Sequence, residues 1–246
     1  FDGFRPMISR RLLLQSAALT LAAPTLPAFA YLQWHEEAFP LAAKDIEALT
    51  HHPFITGLIE GTLPQESFLW YLCQNLNYLA GYEKSLMKLA PRLTDKDDRK
   101  QVLAWAKETS ATYRWTSEVI KSSAQHRDTD RYRAVRPTTR RYIEWEAENA
   151  SEAPVSVAWA TLLPCFWVYG EVGRFVSANK KPDSPYAAWL DGYGDPAYEK
   201  TVDAAVALAD RLAAQDAKNR GRATDAFLSS VKFETALWDA AVKLEA

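Results

Sequence analysis

The spacing of apolar residues is the feature that most restricts the fold of this chain. In residues 65–89 they recur at steps of three and four, at Phe68, Leu69, Leu72, Leu76, Leu79 and Tyr82. That period matches one buried face of an α-helix. Residues 154–178 are apolar almost all round, which predicts a helix at the centre of a bundle.

The same pattern predicts helices along most of the remaining chain. Pro53 should break the first of them, and residues 61–64 should form a turn in which Thr62 caps the next helix and Pro64 lies in its first turn. No strand pattern or internal repeat is visible in the sequence. We therefore predict one all-α domain of about seven or eight helices over residues 31–246. The further predicted helices cover residues 38–49, 97–123, 137–150, 185–193, 196–217 and 222–244.

The residue pattern of positions 1–30 differs from that of the rest of the chain and predicts a separate segment. From Met7 onward, Arg10 and Arg11 precede a short apolar run, and the segment ends in the small-residue motif Ala28-Phe29-Ala30. This is the layout of an export signal, and "SRRLLLQ" resembles the twin-arginine type. The apolar run is too short to span a membrane, so we predict export to the periplasm without stable membrane anchoring. The alternative is an ordinary N-terminal helix in a cytoplasmic protein.

Composition excludes several classes of partner and site. The net charge is -2 and there is no basic block, so nothing indicates a nucleic-acid partner. The two cysteines, Cys73 and Cys165, do not make a disulfide framework or a zinc motif. The four histidines form no HExxH or ExxH pattern. We predict no metal.

The first candidate for chemistry is the run "ATLLPCFWVYGE". Cys165 and Tyr169 are four residues apart and share a helical face, and Pro164 should kink the helix beside them. A kink frees carbonyl groups and opens space, as a site requires. A buried, inert cysteine is the alternative interpretation, because a reactive thiol needs a base or a cation nearby.

Polar groups interrupt three other apolar stretches. Asn75 and Tyr78 are three residues apart on one predicted helix, and can face one cavity or form a polar flank. Glu234 lies in the apolar run "FETALWD", where burial would raise its pKa and suit it to proton transfer, unless it faces solvent. Trp189 and Tyr193 form an aromatic pair that can equally cap a core.

Taken together, these motifs resemble the TenA, or thiaminase II, family. The order is "HPF", "GTLP", "YLCQNLNYL", "LLPCFWVYGEVG", "WLDGY" and "FETALWD", and it covers nearly the whole chain after Ala30. The resemblance implies a heme-oxygenase-like helical bundle, usually a homotetramer. It also implies hydrolysis of aminopyrimidines in thiamin salvage or degradation, with no cofactor. The substrates would be 4-amino-5-aminomethyl-2-methylpyrimidine and, more slowly, thiamin.

The resemblance also implies residue roles. Cys165 corresponds to the catalytic thiol, Tyr169 to a tyrosine that contacts it, and Glu234 to the glutamate that binds the pyrimidine and moves protons. Tyr78 and Tyr193 correspond to substrate-binding tyrosines. The mechanism that we expect is covalent. Glu234 deprotonates the thiol or the attacking water, directly or through Tyr169, the thiolate adds to the ring, the amine or thiazole leaves, and water displaces the enzyme.

The resemblance assigns Tyr142 to an aromatic wall position, which completes the group of tyrosines that would stack on or hydrogen-bond the ring. At one position the chain departs from the family, because Asn75 stands where the family usually has aspartate. Asparagine can pair with the amidine edge of an aminopyrimidine but cannot supply a negative charge. Two alternatives therefore stay open: an enzyme of this fold that acts on a different heterocycle, and a non-catalytic exported protein that binds aminopyrimidine or thiamin.

Overall fold

The computed structural model describes residues 32–124, 128–193 and 195–246, and within these ranges the chain is helical without strands. The predicted leader, residues 1–30, lies outside the described residues, so its export function stays a prediction. The described helices are α1 (Trp34–Leu41), α2 (Ala43–Thr50), α3 (Pro53–Glu60), α4 (Gln65–Leu89), α5 (Lys96–Ala124), α6 (Pro137–Glu152), α7 (Val155–Leu162), α8 (Pro164–Asn179), α9 (Ala187–Leu190), α10 (Pro196–Gln215) and α11 (Arg220–Lys243).

The turn before α4 is built differently from the prediction. Gly61 ends α3 in the left-handed conformation, with φ of 73°, and the amides of Thr62 and Leu63 donate to the Gly57 carbonyl at 2.9 and 3.0 Å. Thr62 therefore belongs to the end of α3, and the prediction that it caps α4 is wrong. Pro64 precedes the first residue of α4 and lies outside its first turn.

The predicted kink at Pro164 divides the central apolar segment into α7 and α8. Pro164 has no amide proton to donate, and the amide of Phe166 donates to the Leu163 carbonyl at 2.9 Å, three residues back. The Leu162 carbonyl is thereby left free for a side chain. The segment Val155–Asn179 is long and apolar enough to cross a membrane, but 78% of its most apolar window is buried inside the protein.

Two other predicted helices differ in extent. The predicted helix over residues 38–49 is two helices, because Pro40 cannot donate near the end of α1 and the chain turns at Ala42. The predicted segment at 185–193 is helical only over Ala187–Leu190. Of these short elements, α1 carries Trp34 and Phe39, and α9 carries Trp189.

The core lies where the long helices pack together. Helix α4 packs along α5 and α6, while α11 packs along α7 and also touches α4, α6 and α8. Four tryptophans, Trp34, Trp70, Trp159 and Trp238, are fully buried among these helices. Burial of such large rings contributes most of the favourable free energy of this kind of packing. A cavity between α4, α5, α8 and α10 contains the candidate site.

Candidate active site

A cavity of about 420 Å³ opens between the helices beside the Pro164 kink. Its volume lies in the range of roughly 300–1,000 Å³ typical of small-molecule sites. The wall is mainly aromatic, with a few polar groups that converge on one end. Its lining includes Tyr71, Asn75, Tyr78, Tyr82, Trp105, Trp115, Cys165, Phe166, Tyr169, Trp189, Tyr193 and Tyr198.

Cys165 lies in the first turn of α8 with its thiol on the cavity wall. The residue is half-buried because it lies on the cavity wall. Burial, followed by the charges of Glu234 and Glu146, raises the pKa of the Cys165 thiol well above its usual value. The hydroxyls of Tyr78 and Tyr82 oppose this rise. The resting thiol is therefore protonated, and its use as a nucleophile requires a base.

Glu234 supplies a carboxyl with the properties of such a base. It lies on α11, is fully buried, and accepts a hydrogen bond from the Tyr142 hydroxyl at 2.8 Å through Oε1. Burial raises the pKa of Glu234 to about 7, against the opposing effects of the Tyr142 and Tyr169 hydroxyls. Its Oε2 has no hydrogen-bond partner among the described residues.

Tyr142 lies behind the cavity wall. It is fully buried and stacks between Tyr78 and Phe233, with ring centroids 4.8 and 5.0 Å away. The predicted wall position for Tyr142 is thus corrected to a position between Glu234 and Tyr78, because its hydroxyl is directed to the carboxylate. Tyr78 itself lines the cavity.

Tyr169 and Tyr193 form part of the opposite wall. Their rings are nearly parallel, with centroids 6.5 Å apart, and the Tyr169 hydroxyl is 3.1 Å from that of Tyr71. Burial raises the pKa of Tyr193 to about 12 and that of Tyr169 well above its usual value. These hydroxyls therefore stay protonated and can donate to a ligand at neutral pH.

Asn75 presents its amide to the cavity from α4. No described residue hydrogen-bonds this amide, so both its carbonyl oxygen and its NH₂ group are available to a ligand. The neighbouring Gln74 has a structural role, because it donates to the carbonyls of Tyr132 and Ala134 and accepts from the Arg136 amide. The two residues of the "QN" pair thus serve different purposes.

The structure also brings in residues that the sequence patterns did not indicate. Tyr198 on α10 donates to the carbonyls of Cys165 and Phe166, and Trp115 of α5 stacks on Trp189 at 4.8 Å along the cavity. Glu146 on α6 is a second fully buried carboxyl. Its position four residues after Tyr142, on the same helical face, was the one available signal.

Comparisons with known proteins agree with this architecture. The chain is 26% identical over 220 residues to the aminopyrimidine aminohydrolase of Bacillus subtilis, covering 87% of this chain and 92% of that protein. It is 28% identical over 192 residues to the thiamine biosynthesis multifunctional protein ThiED of Corynebacterium efficiens, covering 77% of this chain. The chain spans only about a quarter (26%) of the length of that ThiED protein, and likewise of a second one from Corynebacterium glutamicum.

Solved structures share the fold at lower identity. A TenA homologue from P. horikoshii OT3 superposes with a TM-score of 0.76 at 21% identity, covering 86% of this chain and 99% of that one. A TenA family transcription regulator from Silicibacter sp. TM1040 superposes with a TM-score of 0.77 at 23% identity, covering 86% and 97%. The family model described as TENA/THI-4/PQQC matches residues 42–244. This chain therefore belongs to the TENA/THI-4/PQQC family.

Proposed function

We propose that the chain is a hydrolase of aminopyrimidine compounds that works through a covalent thiol intermediate. The observation that carries the proposal is that a buried carboxyl, Glu234, whose pKa lies near 7, acts through its charge on the thiol of Cys165, which lines the cavity. A base with a pKa near the working pH is well matched to proton transfer. The name of the Bacillus subtilis relative supports the same substrate class.

The reaction would begin with ionisation of the thiol. Glu234 takes the Cys165 proton, and the thiolate forms a C–S bond at a pyrimidine ring carbon. The electron pair displaced into the ring then breaks the bond between the exocyclic methylene and its amine or thiazole substituent. An amine takes a proton as it leaves and departs as ammonia, whereas a thiazole leaves without one. Water then adds its hydroxyl to the methylene, and its remaining proton replaces the one that the amine took or is released to solvent. The C–S bond breaks, and the thiolate regains its proton from Glu234. The sum for an amine is R–NH₂ plus H₂O giving R–OH plus NH₃.

The remaining wall residues would hold the ring. Asn75 can accept from the exocyclic amine and donate to a ring nitrogen, as asparagine does with adenine. Tyr193 and Tyr78 can stack on the ring or donate to it. Release of either an amine or a thiazole requires room beyond the pyrimidine, which the cavity provides toward Trp115 at its exposed end. Association into a homotetramer stays a prediction of the family resemblance.

The test is turnover by the purified protein. It should convert the aminomethyl pyrimidine into the hydroxymethyl pyrimidine, with thiamin as a slower substrate, and Cys165→Ala should abolish both reactions. Products are followed by chromatography with mass detection, and binding is measured in parallel by calorimetry. Binding without product would contradict hydrolysis and favour the binding-protein alternative.

Asn75 specifically favours a second candidate, an enzyme of the same mechanism acting on a different heterocycle. Its amide replaces the aspartate usual in the family, so the cavity offers no ionised group at this point to a protonated ring. A neutral heterocycle that presents one hydrogen-bond donor and one hydrogen-bond acceptor would bind the Asn75 amide equally well. A screen that adds formylamino-pyrimidines and other amino-heterocycles separates the two candidates by relative kcat/KM.

A further inference from the structure

A second buried carboxyl adjoins the site and has no part in the mechanism so far. Glu146 of α6 is fully buried and accepts a hydrogen bond from the Tyr78 hydroxyl at 2.9 Å through Oε1. Its Oε2 has no hydrogen-bond partner among the described residues. An unpartnered carboxyl oxygen at this depth is costly unless the group carries a proton or exchanges one.

Glu146 is connected to the cavity by one side chain. Tyr78 touches Glu146 with its hydroxyl and also lines the cavity beside Cys165. The ring of Tyr142 stacks on Tyr78, and its hydroxyl donates to Glu234. The site thus has two buried carboxyls: Glu234, which accepts from the Tyr142 hydroxyl, and Glu146, which accepts from the Tyr78 hydroxyl.

The surroundings of Glu146 determine its charge. The titratable groups that act on it are Tyr78 from α4, Tyr142 from its own helix and Glu234 from α11, and α7 contributes none. Burial raises the pKa of Glu146 well above its usual range, and the charge of Glu234 raises it further. Two neighbouring carboxyls do not both ionise readily, so Glu146 keeps its proton when Glu234 is ionised.

We propose that Glu146 is a positioning residue that supplies, through Tyr78, the proton taken by an amine leaving group. The proposal rests on the proposed function. A tyrosine hydroxyl has one proton, and while Glu146 is ionised that proton is held toward its carboxylate. When Glu146 is protonated, its own O–H can donate to the Tyr78 oxygen. The Tyr78 proton is then free to point into the cavity.

The proton balance of the step closes without an outside reactant. As the carbon–nitrogen bond breaks, its electron pair goes to nitrogen, which takes the Tyr78 proton and leaves as neutral ammonia. Tyr78 takes the Glu146 proton, and Glu146 becomes a carboxylate. The water that adds its hydroxyl to the methylene returns a proton to Glu146. The thiol proton circulates separately between Cys165 and Glu234.

If Glu146 supplies the proton to the leaving group, the effect of its loss on turnover should depend on which group leaves. An amine must gain a proton to leave as ammonia. The thiazolium of thiamin already carries its positive charge on the departing nitrogen and leaves as a neutral thiazole without a proton. Glu146 should therefore matter more for the aminomethyl pyrimidine than for thiamin. A purely structural role in holding Tyr78 would affect the two substrates equally.

The experiment compares Glu146→Gln with the unsubstituted chain on both substrates. Glutamine keeps the size and the hydrogen bond to Tyr78 but has no proton to transfer. General acid catalysis contributes roughly 100- to 10,000-fold, so we expect kcat on the aminomethyl pyrimidine to fall by about 100-fold. The fall should be at least about tenfold greater than that on thiamin. In the unsubstituted enzyme, kcat on the amine should decline as rising pH deprotonates Glu146, whose pKa burial raises, and the variant should lack this decline.

Two further variants make the result decisive. Glu148→Gln, an exposed site on the same helix, is the matched control and should change neither substrate. Tyr78→Phe breaks the connection between Glu146 and the cavity. If Glu146→Gln folds poorly, Tyr78→Phe takes its place, and its loss of kcat should again be greater on the amine than on thiamin.

Equal losses of kcat on both substrates would overturn the proton relay and would assign Glu146 a structural role instead. No loss on either would overturn it too, because the amine would then bring its own proton as ammonium. Absence of turnover by the unsubstituted chain would instead contradict the proposed function and, with it, this inference.

Discussion

The hydroxyl of Tyr82 donates a hydrogen bond to the Leu162 carbonyl at 2.9 Å, across the kink between α7 and α8. This carbonyl is the one left free where the helical ladder shifts register at Pro164. The bond ties α4 to the residue that sits three positions before Cys165. A backbone irregularity required by proline is thus satisfied by a cavity side chain, and the two fix the position of the thiol.

Tyr82→Phe should therefore destabilise the protein. The buried Leu162 carbonyl loses its donor, and an unsatisfied buried acceptor costs about 1–3 kcal/mol. The measurement is the free energy of unfolding from urea denaturation. Tyr113→Phe is the control, because Tyr113 is exposed and its hydroxyl can be replaced by water. Equal stability of the two variants would mean that Leu162 gains another donor.

Cys165→Ser tests the nucleophile. A serine hydroxyl ionises far less readily than a thiol, so we expect kcat to fall by at least about 100-fold while the cavity and KM stay similar. Cys73→Ser is the matched control, since Cys73 is the other cysteine and does not line the cavity. Activity of Cys165→Ser within a few-fold of the unsubstituted protein would remove covalent catalysis from the mechanism.

Glu234→Gln tests the base through pH. As a base, Glu234 must be ionised, so kcat/KM of the unsubstituted enzyme should rise with pH through about 7, the pKa that burial gives this carboxyl. Glutamine cannot take the proton, and we expect a loss of roughly 100- to 10,000-fold together with disappearance of the rise. A profile that keeps its rise near pH 7 in the variant would assign that ionisation to another group.

The same carboxyl should make stability depend on pH. Its pKa is about 7 in the folded protein against 4.5 as the ordinary value, so between these values the folded state holds a proton that the unfolded state has lost. The contribution of Glu234 to the free energy of unfolding is fully present below pH 4.5. It decreases by about 3 kcal/mol as the pH rises through about 7. Urea denaturation at pH 5 and pH 8 measures the loss.

Glu234→Gln should be less sensitive to pH over this window. Glu146 acts in the same direction, because burial also raises its pKa. The variant is therefore expected to keep part of the dependence. Identical pH dependence in the two proteins would show that Glu234 does not change its ionisation on folding.

Asn75→Asp tests the departure from the family. Aspartate still accepts from an exocyclic amine, so KM for the aminomethyl pyrimidine should stay similar, while its charge stabilises a protonated ring during attack. Replacing a neutral hydrogen bond by a charged one adds about 1.4 kcal/mol, or roughly tenfold in kcat. A lower kcat with intact binding would indicate that Asn75 matches a different ring edge, and would favour the second candidate substrate class.

Much of the fold follows from local sequence patterns. The apolar steps of three and four in α4 predict its bounds, Gln65–Leu89, because one face must be buried whatever lies against it. Pro164 predicts the kink, because a missing amide proton is a property of the residue itself. The extent of α9 is less predictable, since it depends on the packing of Trp189 against residues far away in the chain, such as Trp115.

The candidate site was only partly accessible from sequence. The motif order indicated Cys165 and Glu234 through the family resemblance, and their roles remain predictions for the experiments above. The placement of Tyr142 behind the wall could not be read from spacing, because it depends on the distance between α6 and α11. Glu146 was missed because its position four residues after Tyr142 was the one local sign of burial, in a helix that is otherwise charged.

The sequence by itself determined that this chain is an all-helical bundle with a proline beside a cysteine in its most apolar segment. Local periodicity and the covalent geometry of proline are enough for that conclusion. Only the tertiary structure decided which polar groups are buried next to one another. Burial changes the ionisation of Glu234, Glu146 and Cys165, and burial arises from the packing of α4, α6, α8 and α11, helices that are far apart along the chain.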